Sequence, residues 1–362
     1  MNSRAKAVVP LLLVALSVTA RAVPAFTAVQ LAPQWPTSPL IDMSCLNDAG
    51  QMAGAVATTT GSQMALFSAG RFQYLGAVGE PYIMVHELNE LGDACGTAYE
   101  YGQNGLGRQR ACVSRIDRAA RNRRTLVALP TDVGSWSVAF GLNDRGEIAG
   151  ITWVPDHEPH AVVWGPNGRR FLKELDPRGS RGWKINNLGT VLGMCYTAMG
   201  EYHATLWHGD RITDMGTLGG PSSNMVDIND LDAAVGYSRL ADGHSVHGFI
   251  YRRGVMTDLG TLGGDRSVPS AMNDSNWVVG YSTDGAGDRR AFLWENGAMH
   301  DLSSLMPPGF DQILVSVLDI NDRGQILALS FADDGWYDYR LFLLTPVGSP
   351  ALAIGGIESF GK

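Results

Sequence analysis

Four charged residues occupy equivalent places in this 362-residue chain: Glu87, Lys184, Asp227 and Asp319 each stand two positions before an asparagine (Asn89, Asn186, Asn229 and Asn321). Only 18% of the chain is charged, so four charges at one kind of position are unusual. Carboxylates and an amine converging on one pocket can hold a polar ligand or exchange protons with it. His86, beside Glu87, would add an imidazole. The matching positions elsewhere hold Cys45, Gly141 and Ala271. A purely structural position would be uniform, and this one is not. His86, Glu87, Lys184, Asp227 and Asp319 are therefore the candidate ligand-binding residues. The structural alternative pairs each charge within an interface or leaves it solvated at a rim.

A second group is cationic. Arg108, Arg110, Arg115, Arg118, Arg121, Arg123 and Arg124 fall within 17 residues and predict a basic loop on an acidic protein. Guanidinium groups pair well with carboxylate and phosphate, so such a loop would dock a polyanion. The alternative is a solvated face. Cys95 and Cys112 fall on consecutive predicted strands, equidistant from the hairpin tip, and are expected to face each other as a disulfide. Cys45 and Cys195 belong to distant units and would not reach each other. No C-x-x-C spacing occurs, so no zinc site is expected. His160, His203 and His247 recur at one position of successive units, which distributes them around a ring instead of converging them on a metal. No P-loop, H-E-x-x-H, nucleophile elbow or dinucleotide fingerprint occurs. Catalytic residues and any cofactor stay unassigned.

These residues need elements to position them, and a repeat supplies the elements. Asparagines 47, 89, 143, 186, 229, 273 and 321 each open an N-D-x-G-like string, with Asp48, Glu90, Asp144, Asn187, Asp230, Asp274 and Asp322 next in line. A glycine follows seven residues after six of them, and Ala328 takes that place in the last. Each copy continues into a short apolar strand, such as HAVVW at 160–164 or HATLW at 203–207, then a segment such as ITDMG at 212–216. This reads as four short strands per unit. The first ends at the asparagine, and a type I turn with a left-handed residue at the fourth position leads to the second. Gly50, Gly92, Gly146, Gly189 and Gly324 fill that position, replaced by Asp232 and Asn276 in two copies.

Four-stranded units of about 45 residues, apolar on both faces, predict an all-β propeller. Seven anchors predict seven four-stranded blades, with six or eight as the alternatives because residues 345–362 could hold a further strand. Residues 26–33 resemble a fourth-strand segment and are expected to close the ring beside residues 340–344. Residues 299–305 would belong either to the last blade or to their own.

The combination of I-N-D-x-G-x-x-V-G-x-S, H-A-F-L-W and M-T-D-L-G-T-L-G-G resembles the HAF-repeat family of bacterial extracellular proteins. The best copies lie at 215–238, 256–282 and 290–302. The resemblance implies export and a propeller-like fold, and it carries no shared activity onto particular residues.

Residues 1–22 read as a secretory signal peptide: Arg4 and Lys6 precede an apolar run, and Ala20-Arg21-Ala22 offers a cleavage site. The run is too short to span a bilayer, so no transmembrane segment is expected after its removal. Losing those three cations would make a net charge of -8 more acidic. Nucleic acid is therefore not an expected partner. The expectation is a secreted or periplasmic propeller, 23–362, acting as a binding or scaffold module. Its ligand would be an acidic polysaccharide or another cell-surface component, including an extracellular protein. The alternative is an extracellular polysaccharide lyase or glycoside hydrolase with its site at the channel mouth.

Overall fold

Each anchor asparagine closes a tight turn. Its carbonyl accepts the N–H three residues on, at 2.9–3.3 Å across the seven copies. Its Oδ1 accepts the N–H four residues on, at 2.8–3.0 Å in every copy. The residue three beyond the anchor takes a positive φ throughout, including Asp232 (56°) and Asn276 (59°). Small polar side chains tolerate this left-handed region after glycine, which is why those two substitutions are accommodated. This is the turn the sequence predicts.

The computed structural model describes residues 23–31, 41–68, 71–76, 81–102, 105–117, 123–153, 157–331 and 339–348. The leader lies outside the described residues. The fourth repeat shows the plan: strands Ser180–Ile185, Val191–Tyr196, Tyr202–His208 and Arg211–Asp214 pair as an antiparallel meander from the inside outward. The innermost strand of every repeat carries a β-bulge just before the anchor, for example between Gly182 and Lys184. A bulge bends a strand and re-aims its side chains.

The glycine of the second strand has a packing reason. A Cβ at Gly193 would lie 1.9 Å from the Arg181 carbonyl oxygen and 2.8 Å from the Trp207 ring. Gly150 meets Val138 and Trp164 in the same way, and Gly236 meets Asn224 and Phe249. The aromatic residue of the third strand thus lies over the glycine. Trp207 is 1% exposed, and its indole N–H donates to the Lys173 carbonyl at 2.6 Å. Such a satisfied, buried aromatic contributes on the order of 2–3 kcal/mol.

The core is divided into seven clusters, each filled from two consecutive repeats, the last joining Leu327 and Leu343 to Leu46, Met52 and Phe67. Residues Phe26–Gln30 pair with Tyr339–Pro346 as the outer strand of the last sheet, so the N-terminal strand closes the ring. Ala298–Asp301 pairs with Arg289–Glu295 and belongs to its own repeat.

The fold is an all-β propeller, but seven separate four-stranded sheets are not what forms. Five repeats make separate four-stranded blades, and the fifth and sixth share one eight-stranded sheet. A single parallel bridge, Val246 to Arg266, joins the third strand of one to the first strand of the next. The physical cause is length: the inner strands of these two repeats run ten residues, Gly219–Ile228 and Gly263–Met272, and the second reaches its neighbour's edge. The only helical element among the described residues is the 3-10 turn Leu302–Leu305, and no helix there is long and apolar enough to cross a membrane.

Candidate functional site

Two concentric hydrogen-bonded rings surround the central channel at the turn end of the inner strands. In the first, each anchor asparagine donates through Nδ2 to the anchor carbonyl of the next repeat, at 2.9–3.1 Å, until Asn321 returns to Asn47. In the second, the N–H after each anchor donates to the side chain after the next anchor, at 2.7–3.0 Å. This second ring places Glu90, Asp144, Asp230, Asp274 and Asp322, with Asn187, around the channel mouth, and Asp48 joins them through its bonds to Glu90 and Asp322. Six carboxylates in one ring repel one another. Burial first, and neighbouring carboxylates after it, push Glu90 up to about 7 and Asp322 up to about 6. Asp274 is raised for the same reasons.

Beneath the mouth lie the four charged residues singled out by their spacing. Glu87, Lys184, Asp227 and Asp319 line both the mouth and a wider chamber of about 520 Å³, so they partition the channel. The structure brings them together. Lys184 Nζ donates to Glu87, reaching across the intervening repeat. Gly141 of that repeat makes the reach feasible, since a Cβ there would meet Lys184 Cα at 2.7 Å. Asp227 accepts the N–H groups of Ile228 and of Met272 in the next repeat, both at 2.9 Å. Asp319 accepts those of Ile320 and Leu46, at 2.8 and 2.7 Å, across the ring's closing junction. These carboxylates therefore link repeats, yet each oxygen keeps a second lone pair free of the backbone.

This layer is largely withdrawn from solvent: the Lys184 and Glu87 side chains are 23% and 19% exposed. Burial pushes the Asp319 carboxyl up to about 8, with Glu87 and Asp227 adding to the effect and Lys184 opposing it. Burial raises Asp227 to about 6, again against Lys184. Burial works against the Lys184 ammonium, but Glu87, Asp227 and Asp319 outweigh it and hold the charge well above its ordinary range. The Cys45 thiol is pushed up by burial and by Glu87.

His86 lies in the chamber wall, where burial and the Lys184 charge lower its pKa to about 4, so it is neutral. It occupies the bulge position of its strand, as Phe140 and Trp183 do in the next two repeats. The three rings form a row, His86 tilted against Phe140 at 5.2 Å and Phe140 stacked on Trp183 at 4.3 Å. Met84, 43% exposed, and Met194 and Tyr237 add apolar surface to the chamber. Sequence reading missed the acidic mouth and this aromatic row. The recurring acid after each anchor was a signal for the first. The second had none, because a bulge leaves no fixed mark in residue type.

The other sequence-predicted residues serve structure or lie elsewhere. Arg108, Arg110, Arg115, Arg123 and Arg124 stand on the strands Gly105–Asp117 and Arg123–Ala128, so a single basic loop is not what they form. Arg118 and Arg121 lie outside the described residues. Arg115 donates to the Gly146 carbonyl of the next repeat and Arg124 to the Gly92 carbonyl, each clasping a turn. Burial lowers the Arg124 pKa. Cys95 and Cys112 form no disulfide, and all four cysteines are buried thiols. Cys95 is opposite Val113, and Cys112 is opposite Gly96. The offset of one residue sends the two sulfurs to opposite faces of the sheet, into different core clusters. His160, His203 and His247 each pair through Nδ1 with a carboxylate of their own repeat: Glu174, Asp214 and Asp258, all at 2.9 Å.

Neither a family model nor a curated protein matches the chain. Solved structures do, by shape. The β-propeller domain of the Trilobed protease from Pyrococcus furiosus, described as having an open velcro topology, aligns at 12% identity over 75% of this chain and 84% of that one, with a TM-score of 0.52. A prolyl endopeptidase aligns at 6% identity over 89% of this chain and 50% of that one (TM-score 0.51). Pyrococcus horikoshii acylaminoacyl peptidase aligns at 10% identity over 86% and 52% (TM-score 0.50). The chain thus spans about half the length of those two peptidases. Identities this low carry the propeller fold and nothing further.

Proposed function

We propose that this chain is an exported propeller of the HAF-repeat type that binds a ligand in its central channel. One observation carries the reading. The turn asparagine and its inter-repeat bond recur in every repeat, whereas the layer just beneath differs from repeat to repeat. Glu87, Lys184, Asp227 and Asp319 all converge there on one cavity. A uniform ring offers seven equal poses, while an uneven wall offers one. Fixing a single orientation with a few polar groups on an apolar cavity is what small-ligand sites do.

The mouth is acidic and disfavours a polyanion entering there. An acidic polysaccharide would instead have to use the outer face carrying Arg108. Polysaccharide cleavage is the competing reading. It predicts new reducing or unsaturated ends when the protein is incubated with polysaccharides.

The test is a ligand screen by thermal shift on the wild type, Asp227→Asn and Arg108→Gln. Channel binding predicts hits that Asp227→Asn weakens and Arg108→Gln leaves unchanged. Hits that follow Arg108, or that ignore Asp227, refute the proposal.

A further inference from the structure

The channel reading says where a ligand sits, and the wall says what kind it is. We infer that the chamber takes a small organic cation with an apolar body, its charged head between Asp227 and Asp319 and its body against Trp183, Met84 and Tyr237. This rests on the channel being the binding site.

Charges in the chamber are unevenly paired. Lys184 is the one cation among the described residues lining the chamber, and it is committed to Glu87. Asp227 and Asp319 have backbone N–H partners but no ion pair among the described residues. They flank Ala271, the small residue at the equivalent place of the repeat between them, so a gap separates two carboxylates on one wall. Two carboxylates enclosed by protein and lacking a cation are held partly protonated, and both are raised as that predicts. A bound cation would replace the proton.

The rest of the chamber fits the body of such a molecule. Met84 lines it and is 43% exposed among the described residues, so it offers apolar surface there. The Trp183 indole, stacked on Phe140, presents a rigid ring, and aromatic faces attract cations. A volume of about 520 Å³ is the size of ordinary small-ligand pockets. The carboxylates of the mouth, on the other side of this layer, add negative potential along the channel and favour a cation over an anion. The groups facing the two carboxylates are Glu87, Lys184, the Cys45 thiol and neutral His86; of these only Lys184 competes for them.

The probe is phenethylamine, with its anionic isostere phenylacetate as control, titrated calorimetrically into the full chain. The expected result is binding of the amine at least tenfold tighter than of phenylacetate. Its affinity should rise about tenfold from pH 6.5 to 8, because Asp319 must release a proton to receive the cation. Titration in two buffers of different ionisation heat should detect that proton. Asp319→Asn should abolish the pH dependence and weaken binding tenfold or more. The wild-type pH profile stands alone if that variant fails to fold. Equal or tighter binding of phenylacetate, or amine binding that is independent of pH, overturns the inference. If neither probe binds but other molecules do so in an Asp227-dependent way, the cation class falls and the channel reading survives. If nothing binds in the channel, both fall.

Discussion

Replacing Asn186 with alanine tests the ring of asparagines directly. Asn186 is 4% exposed. Its Oδ1 accepts from Thr190 N–H at 2.9 Å and Leu188 N–H at 3.1 Å. Its Nδ2 donates to the Asn229 carbonyl and to Asp232, both at 2.9 Å. Thr190 is buried, so its amide would lose its partner without gaining water, at about 1–3 kcal/mol. The Asn229 carbonyl keeps its own turn bond and loses about 1 kcal/mol. The sum is about 2–4 kcal/mol, which in a chain of this size lowers the melting temperature by roughly 3–5 °C. Urea and thermal unfolding followed by circular dichroism would measure it. Leu188→Ala, at an exposed turn tip, is the control and should change stability by less than about 0.5 kcal/mol. Asn186→Asp separates the two halves of the effect: it keeps both acceptor bonds and loses the donor to the next repeat. It also sets a charge beside Asp232, so at neutral pH it should cost at least as much as alanine. The ring argument fails if Asn186→Ala costs less than about 1 kcal/mol, or if Asn186→Asp equals the wild type.

Four further outcomes follow from the same geometry. Asp227 and Asp319 titrate higher folded than unfolded, so the folded state binds more protons and its stability falls as pH rises from about 5 through about 8. Melting across that range should show the fall and Asp319→Asn should reduce it, with Asp227, Glu90 and Asp322 sustaining the remainder, whereas a rise would contradict the assigned burial. Gly193→Ala forces a Cβ against the Arg181 carbonyl and Trp207, and should cost about 3 kcal/mol or prevent folding; a wild-type melt would exclude that packing. Deleting Phe26–Gln30 exposes the edge of the last sheet and the core around Phe26, which is 1% exposed, and should lower the whole transition, with an unchanged melting temperature the contrary result. Thiol labelling should find four reactive cysteines after unfolding in the absence of reductant and almost none before, while a mass two units lower would reveal a disulfide.

Much of the fold is legible in the sequence because it is local. An N-D-x-G turn bonds its own backbone, so Asn47 through Asn321 announce their hairpins without reference to anything distant. The strand after each turn follows from its apolar run, and the closing role of Phe26–Gln30 follows from the phase of the repeat. The candidate site was half legible. Glu87, Lys184, Asp227 and Asp319 stood out as departures from a pattern, which is a property of sequence. That Lys184 reaches Glu87 over Gly141, leaving Asp227 and Asp319 without a cation, depends on the curvature of the ring, which no local rule contains.

The sequence by itself determined the repeat, its turns and the positions where the repeats differ, since each rests on contacts within a few residues along the chain. Tertiary structure alone decided the rest. Pairing register, one residue out of opposition, sends Cys95 and Cys112 to opposite faces and forbids their bridge. Strand length merges the fifth and sixth repeats into one sheet. Closure of the ring turns seven ordinary turn asparagines into a continuous hydrogen-bonded circle and six surface acids into a channel mouth. The ring bonds join residues some 40 to 270 positions apart, whose distances are set only when the blades pack.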